Sequence, residues 1–439
     1  MSRFNRREFL TLSGTVLGGI ATGTTVTAAT RTDRFIVETK GRGGLKGLDV
    51  VHEMPGVPFA VVRGSKNELQ RSKRVKDFAP DVEIELDDPD VNANAPTVEE
   101  SSVSDEPGYG LQWDKQDLDV ETAHQTTTGD GTRVTIIDTG VAADHPDLDV
   151  NTEMSRDFTG DGYGSGAPYG GYHGTHVGGI VGAQDNGMGV IGTAPETDLV
   201  DCRVFSPSSL ASFADILAAV VYSAAIDADV ANLSLGAYPI PRQGLGQFYG
   251  KVLNSVMTYA NKEGTLLAIA AGNAAADLQH DKNFISLPNE GAQAVSVAAT
   301  GPIGFGWDAG DSEAPAESPA FYTNYGTNAI TLAAPGGDAD LDAIGNDVPW
   351  YNDLVFNTIS IPQFDDDGNY LGATHTYSWL AGTSMAAPNV AGAAALVKSA
   401  NPNYNANQVE SALKRAADVP DDYDKTYYGS GYLNIVDAL

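Results

Sequence analysis

The sequence predicts an α/β protein: a mostly parallel twisted sheet with helices on both faces, preceded by a smaller α+β unit. Short apolar runs rich in branched residues (TRVTIID, TDLVDCRVF, DVANLSLG and LLAIAAG) recur from residue 132 onward and read as strands. Between them lie the helical stretches HVGGIVGA, SFADILAAVVYSAAI and YGKVLNSVMTYANKE. With 439 residues, 42% of them hydrophobic, the chain is long enough for a large core and several domains. Sheets of this kind gather their reactive groups outside the carboxyl ends of the strands.

Taken in order, the chain divides into four segments. Residues 1–30 pair Arg6 and Arg7 ahead of a modest apolar run rich in threonine and glycine, and resemble a twin-arginine export signal. That run is too short for a membrane span, so no stable membrane anchoring is expected. Residues 31–80 form the smaller unit, with RFIVET and PFAVVRG as strands. Within it, residues 31–76 carry 11 bases against 5 acids, a net of +6. Residues 81–106 read as an acidic linker; the stretch 77–106 holds 11 acids and no base, with three prolines. Residues 107–439 are the large domain, with 41 acids against 12 bases, a net of −29. This opposition of charge suggests that the small unit docks on the large one.

The whole chain carries −32, which excludes nucleic acid as a partner. An acid-coated surface poor in lysine suits concentrated salt, where screening removes self-repulsion. Cys202 is the single cysteine, so no intrachain disulfide forms, and its apolar run marks it as a buried side chain.

Four residues stand where chemistry is expected. Asp138 closes the apolar run TRVTIID, an expensive place for a carboxylate without a partner. His173 lies in GYHGTHVGG, a run whose glycines disfavour regular structure. Ser384, in LAGTSMAAPNVAGAAALV, opens a helix of small residues, where backbone N–H groups and the helix dipole favour negative charge. Asn273 follows the strand LLAIAAG. Each has a structural reading as well: turn residue, buried histidine, helix cap, turn asparagine.

The motifs DTGV, HGTHVGG, AAGN and GTSMAAP, in that order, resemble those of the subtilisin-like serine proteases, over roughly residues 105–439. The resemblance implies a secreted, extracellular serine endopeptidase of halolysin type acting on polypeptide substrates through an acyl-enzyme. Ser384 would be the nucleophile, His173 the general base and Asp138 its orienting carboxylate, with Asn273 a donor to the oxyanion. His176 would serve packing or hydrogen bonding, and the glycines beside His173 would let substrate and nucleophile approach. One departure is Tyr172, where the family usually has glycine; a tyrosine there would narrow the cleft.

The resemblance further implies a substrate strand along Ser234, Leu235 and Gly236, a facing wall at Ser208 and Ser209, and a pocket flanked by Ala271, Gly272 and Leu287. It implies structural calcium held by Asp105, Asp147 and Asn186 with the carbonyls of Gln184, Met188 and Val190, and no organic cofactor. FDDDGNY (364–370) looks metal-like but lacks the glutamate of an EF-hand loop, and reads as a hairpin turn. The expected life history is export by the twin-arginine machinery as a zymogen. Residues 31–80 act as a transient inhibitory pro-segment until the linker is cut, leaving a monomer. Two alternatives share these motifs: a narrow-specificity processing protease and a non-catalytic peptide-binding descendant.

Overall fold

The computed structural model describes residues 30–40, 45–85, 107–208, 210–241, 246–307, 314–346 and 348–439. The amino-terminal unit contains β1 (Thr30–Thr39), β2 (Asp49–Glu53), β3 (Phe59–Arg63), α1 (Lys66–Arg71) and β4 (Val75–Glu85). Ser65 and Glu68 close a capping box at the start of α1. The strand β4 runs five residues past the expected boundary at 80, so 81–85 belong to the folded unit and not to the linker.

The large domain opens with α2 (Trp113–Asp117) and α3 (Val120–His124). There follow β5 (Arg133–Asp138), β6 (Arg156–Asp157), α4 (His173–Gly182), β7 (Asp198–Arg203), β8 (Leu210–Ser212) and α5 (Phe213–Ala225). Next come β9 (Val230–Leu233), β10 (Ala237–Pro241), α6 (Gly246–Glu263), β11 (Leu266–Ala270), β12 (Phe284–Leu287), β13 (Ala294–Thr300) and β14 (Leu332–Pro335). A long hairpin, β15 (Val355–Phe364) and β16 (Tyr370–Leu380), leads into α7 (Thr383–Ala400) and α8 (Ala406–Ala416).

Seven strands form one parallel sheet in the order β14-β13-β11-β9-β5-β7-β6. Successive side chains of a strand face opposite ways, and here both faces are apolar. Val134 and Ile136 of β5, with Leu266, Ala268 and Ala270 of β11, join the core that holds α4 and α7. Ile137, Leu267 and Ile269 enter a second core with Cys202, under α5 and α6. This is the sheet with helices on both faces that the alternating runs predict.

The amino-terminal unit continues a second sheet, β2-β3-β1-β4-β8, whose last strand belongs to the large domain. Glu83, Ile84 and Glu85 pair antiparallel with Ser212, Ala211 and Leu210. Beside this seam the buried Arg34 forms ion pairs with Asp81, at 2.9 Å, and with Asp215 of α5. The Asp81 carboxylate accepts from Ser212 Oγ at 2.5 Å and from Ala214 N at 3.1 Å, at the start of α5. His52 Nε2 lies 2.7 Å from Asp215, and Lys251 of α6 reaches Glu38 at 2.6 Å. A few directed and mostly buried contacts hold the two parts together, not only the bulk opposition of charge.

Candidate active site

Asp138 is the last residue of β5, at the carboxyl edge of the sheet, and is fully buried. Its Oδ1 accepts from Thr139 N at 2.7 Å and from His173 Nδ1 at 2.8 Å. The carboxylate can only accept here, so Nδ1 carries the proton and the lone pair of the ring lies on Nε2. His173 is the first residue of α4 and only 1% exposed. No side chain caps α4 from Tyr172. Thr139 takes over: its Oγ1 accepts from Gly174 N at 2.8 Å and donates to Gly171 O at 2.9 Å. The turn after the aspartate is thereby tied to the segment on either side of the histidine.

The glycines of α4 have a packing cause. A Cβ on Gly174 would lie 2.6 Å from Gly140 O, and one on Gly179 would lie 2.2 Å from both Asn357 Oδ1 and Thr358 Oγ1. Gly174 and Gly179 thus admit the turn after Asp138 and the β15–β16 hairpin, a packing cause that the sequence reading of these glycines did not include. His176 is buried, with Nε2 at 3.2 Å from Val355 O and 3.3 Å from Ser378 O of the same hairpin. Burial, followed by the neighbouring His173, pushes its pKa down to about 3. It is a packing histidine. Tyr172 is 8% exposed and packs into the main core, so its ring does not stand in an open cleft.

Ser384 is the second residue of α7, after the N-cap Gly382, and so is not the cap of the helix. Pro388, four residues on, has no N–H to offer the Ser384 carbonyl. Ser234 Oγ supplies the bond at 2.7 Å, and Ser384 Oγ donates in return to Ser234 O at 3.2 Å. Asn232 Nδ2 holds the Ser234 hydroxyl at 2.9 Å. The Ser234 side chain is therefore engaged with the serine helix, while Leu235 and Leu287 are buried in the second core.

Asn273 lies three residues past β11. Its Oδ1 accepts from Thr383 N at 2.9 Å and Thr383 Oγ1 at 2.8 Å. A backbone N–H can only donate, so the amide NH2 must occupy the other branch, one residue from Ser384. Thr383 Oγ1 also accepts from Gly272 N at 2.9 Å. The Ala271 methyl packs with Ile330, Ala333 and Tyr428, and its backbone is engaged as well. Its N–H donates to Val297 O at 3.0 Å and its carbonyl accepts from Asn324 Nδ2 at 2.8 Å, so this fully buried residue does not line an open pocket. Ser208 is exposed and bonds Ser206 at 2.8 Å, whereas Ser209 and Asp105 lie outside the described residues.

A model of the subtilase family matches residues 129–431. The chain belongs to the subtilase family. Subtilisin Savinase of Lederbergia lenta is 31% identical over 329 residues, 74% of this chain and 97% of that protein. An alkaline protease of Alkalihalobacillus alcalophilus is 30% identical over 365 residues, 81% of this chain and 78% of its own. Among solved structures, a protease from Pseudoalteromonas arctica covers 76% of this chain and 98% of its own, with a TM-score of 0.58 and 27% identity. The epidermin leader peptide processing serine protease of Staphylococcus aureus shares the fold, with a TM-score of 0.68 at 21% identity over 92% of this chain and 97% of its own. This subtilase is thus a serine endopeptidase acting on polypeptides.

The loop expected to hold calcium is drawn together around Asp147. The buried Asp147 accepts from Val190 N at 2.9 Å, its carbonyl accepts from Gln184 N at 3.0 Å, and Asn186 Oδ1 accepts from Met188 N at 2.9 Å. Among the described residues no three His, Cys, Asp or Glu side chains converge as a metal cluster. Among the described members of the expected set, the Asp147 carboxylate stands with the Asn186 amide and backbone carbonyls, hard oxygen donors that fit calcium and not zinc. No helix of the described residues is long and apolar enough to cross a membrane.

Proposed function

We propose that this subtilase is a secreted, halolysin-like endopeptidase of salty media, exported by the twin-arginine route and made as a zymogen. The observation that carries the catalytic reading is the buried 2.8 Å contact between Asp138 and His173 Nδ1. Ser384 Oγ attacks the scissile carbonyl carbon while His173 Nε2 takes its proton, and Asp138 stabilises the imidazolium. Asn273 Nδ2 and the Ser384 N–H receive the oxyanion. His173 then protonates the leaving amine, and water hydrolyses the acyl-enzyme by the same route in reverse.

The contacts of β4 with β8, and of Arg34 and Asp81 with the start of α5, support residues 31–85 as a docked pro-segment. Of the expected signal at 1–30 and linker at 81–106, residues 1–29 and 86–106 lie outside the described residues, while Thr30 opens β1 and 81–85 end β4. Asp105, Asp147 and Asn186, with the carbonyls of Gln184, Met188 and Val190, would hold a structural calcium that fastens this loop. A narrower processing role is the second reading. It is favoured by the fold shared with the epidermin leader peptide processing protease, and cleavage-site profiling separates the two.

The deciding experiment compares the intact mass of wild type and Ser384→Ala after refolding in concentrated salt. Loss of about a hundred amino-terminal residues in the wild type alone supports both nucleophile and self-processing. Equal trimming of both proteins refutes self-processing, and peptide hydrolysis by Ser384→Ala refutes the nucleophile.

A further inference from the structure

Residues 158–171, FTGDGYGSGAPYGG, join β6 to the catalytic histidine and include six glycines. Five of these (Gly160, Gly162, Gly164, Gly166 and Gly171) have positive φ, so the loop has little intrinsic preference for the shape it takes. Yet its end must place His173 against Asp138 to a few tenths of an ångström. Two side chains of β7, both fully buried, meet this loop.

Arg203 sits in register opposite Asp138, since β5 and β7 pair as parallel neighbours. Its Nε donates to Gly164 O at 2.7 Å, and Nη1 and Nη2 grip both oxygens of Asp161 at 2.8 and 2.7 Å. Nη2 also reaches Asp157 at 2.9 Å and Thr159 Oγ1 at 3.3 Å, while Nη1 donates to Phe205 O at 2.9 Å. The guanidinium lies 5.3 Å from the centre of the Tyr169 ring. Two residues earlier on the same strand, Asp201 accepts from Gly166 N at 2.7 Å and from the backbone of Val141, in the turn after Asp138.

We propose that Asp201 and Arg203 are positioning residues for catalysis, which clamp the glycine-rich loop to the strand beside Asp138 and so set His173 in place. The inference rests on the reading of Asp138, His173 and Ser384 as the triad. Arg203 fixes four points of the loop between Asp157 and Gly164, and Asp201 bridges the loop to the aspartate turn. Shape reinforces charge: Gly140 has room for no Cβ, which would lie 2.3 Å from Ala167 O and 3.1 Å from Arg203 Cδ. The pair is also costly in isolation, as burial lifts the Asp201 carboxyl to about 7 against its hydrogen bonds and the charge of Arg203. Asp138 adds to that lift, so the two carboxylates share one field.

The test measures kcat and KM on a peptide substrate, per burst-titrated active site, for Arg203→Met, Arg203→Lys, Asp201→Asn and Asp161→Asn. Titration of active sites removes losses that come only from unfolded enzyme. Arg203→Met is expected to lower kcat at least 30-fold with KM within about threefold, because substrate contacts are untouched. Arg203→Lys, which keeps the charge without the planar fork, should recover part of that loss. The acid limb of the kcat/KM profile should move by at least half a pH unit in Arg203→Met, since a charge near His173 is lost. Asp201, with its carboxyl at about 7, is largely protonated along that limb, so Asp201→Asn should lower kcat and leave the limb in place. The groups that set this limb are His173, His176, Asp138, Asp157, Asp161, Asp201 and Arg203. Should Arg203→Met fail to fold, Asp161→Asn, at the half-exposed end of the fork, is the deciding variant, with an expected loss in kcat of at least fivefold. Unchanged kcat and acid limb per active site in the folded variants would overturn the proposal. Ser384→Ala and His173→Ala, run alongside, test the triad separately: activity in either sinks that reading whatever the β7 variants do.

Discussion

Gly174→Ala tests the account of the histidine loop most directly, because two general rules predict opposite results. Helix propensity favours alanine over glycine by at most about 1 kcal/mol, so a reading of the sequence alone expects a stabilised protein. The tertiary structure opposes this. The new Cβ would meet Gly140 O at 2.6 Å, Gly140 N at 3.0 Å and Gly140 C at 3.1 Å. These are backbone atoms of the turn after Asp138, and they cannot swing aside as a side-chain tip can. Overpacking of this kind costs about 1–3 kcal/mol, so the net change is a loss of up to about 2 kcal/mol. For a domain of this size the melting temperature should fall by a few degrees. Relief of the clash moves the turn away from α4 and stretches the bonds through Thr139 Oγ1 and the 2.8 Å contact of Asp138 with His173. A misplacement of 1 Å can cost about 10²-fold, so a shift of several tenths should cost about tenfold in kcat/KM. Thermal melts and peptide hydrolysis per titrated active site measure both effects. Gly178→Ala is the control, since its Cβ would meet only side-chain methyls and no backbone, those of Val141 from 3.1 Å and of Leu199 at 3.6 Å. If Gly174→Ala melts higher than wild type and keeps kcat/KM within twofold, the packing argument is wrong.

Three further outcomes are expected. Asn273→Ala should lower kcat by about 10²–10³, the size known for the asparagine donor of subtilisin and carried over from it. Asn273→Asp, which keeps the acceptor for Thr383, should lose the same donor with less loss in melting temperature. Chelation of calcium should lower the melting temperature by roughly 4 °C, from about 2.7 kcal/mol of binding linkage at a hundredfold excess over Kd. Asp147→Asn should abolish that difference, and a wild-type melt indifferent to chelator would remove calcium from the account. His176 has a folded pKa of about 3, below its ordinary 6.5. Its contribution to stability is whole above about pH 6.5 and declines as pH falls toward 3, where the unfolded chain binds a proton that the fold refuses. His176→Gln should therefore show a smaller fall in melting temperature between pH 7 and pH 4.5 than wild type does.

The sequence by itself determined the class of fold and, through four motifs in order, the family to which the chain belongs. Continuous apolar runs rich in branched residues, alternating with helical ones, require a sheet covered on both faces, and β5, β7, β9 and β11 lie within the runs that predict them. Asp138 betrays itself because a carboxylate after buried residues demands a partner. Tertiary structure alone decided how these groups are held. That Thr139 serves α4 in place of a cap, that Ser234 completes the bond Pro388 cannot make, and that Thr383 fixes the Asn273 amide all depend on contacts across 32 to 150 positions of chain. Asp201 and Arg203 carry no mark in the run LVDCRVF, because nothing local distinguishes a surface ion pair from a buried clamp. The glycines of HGTHVGG were visible, but their cause was not. What fills the space above a glycine is another part of the backbone, and a linear sequence does not say which part will arrive.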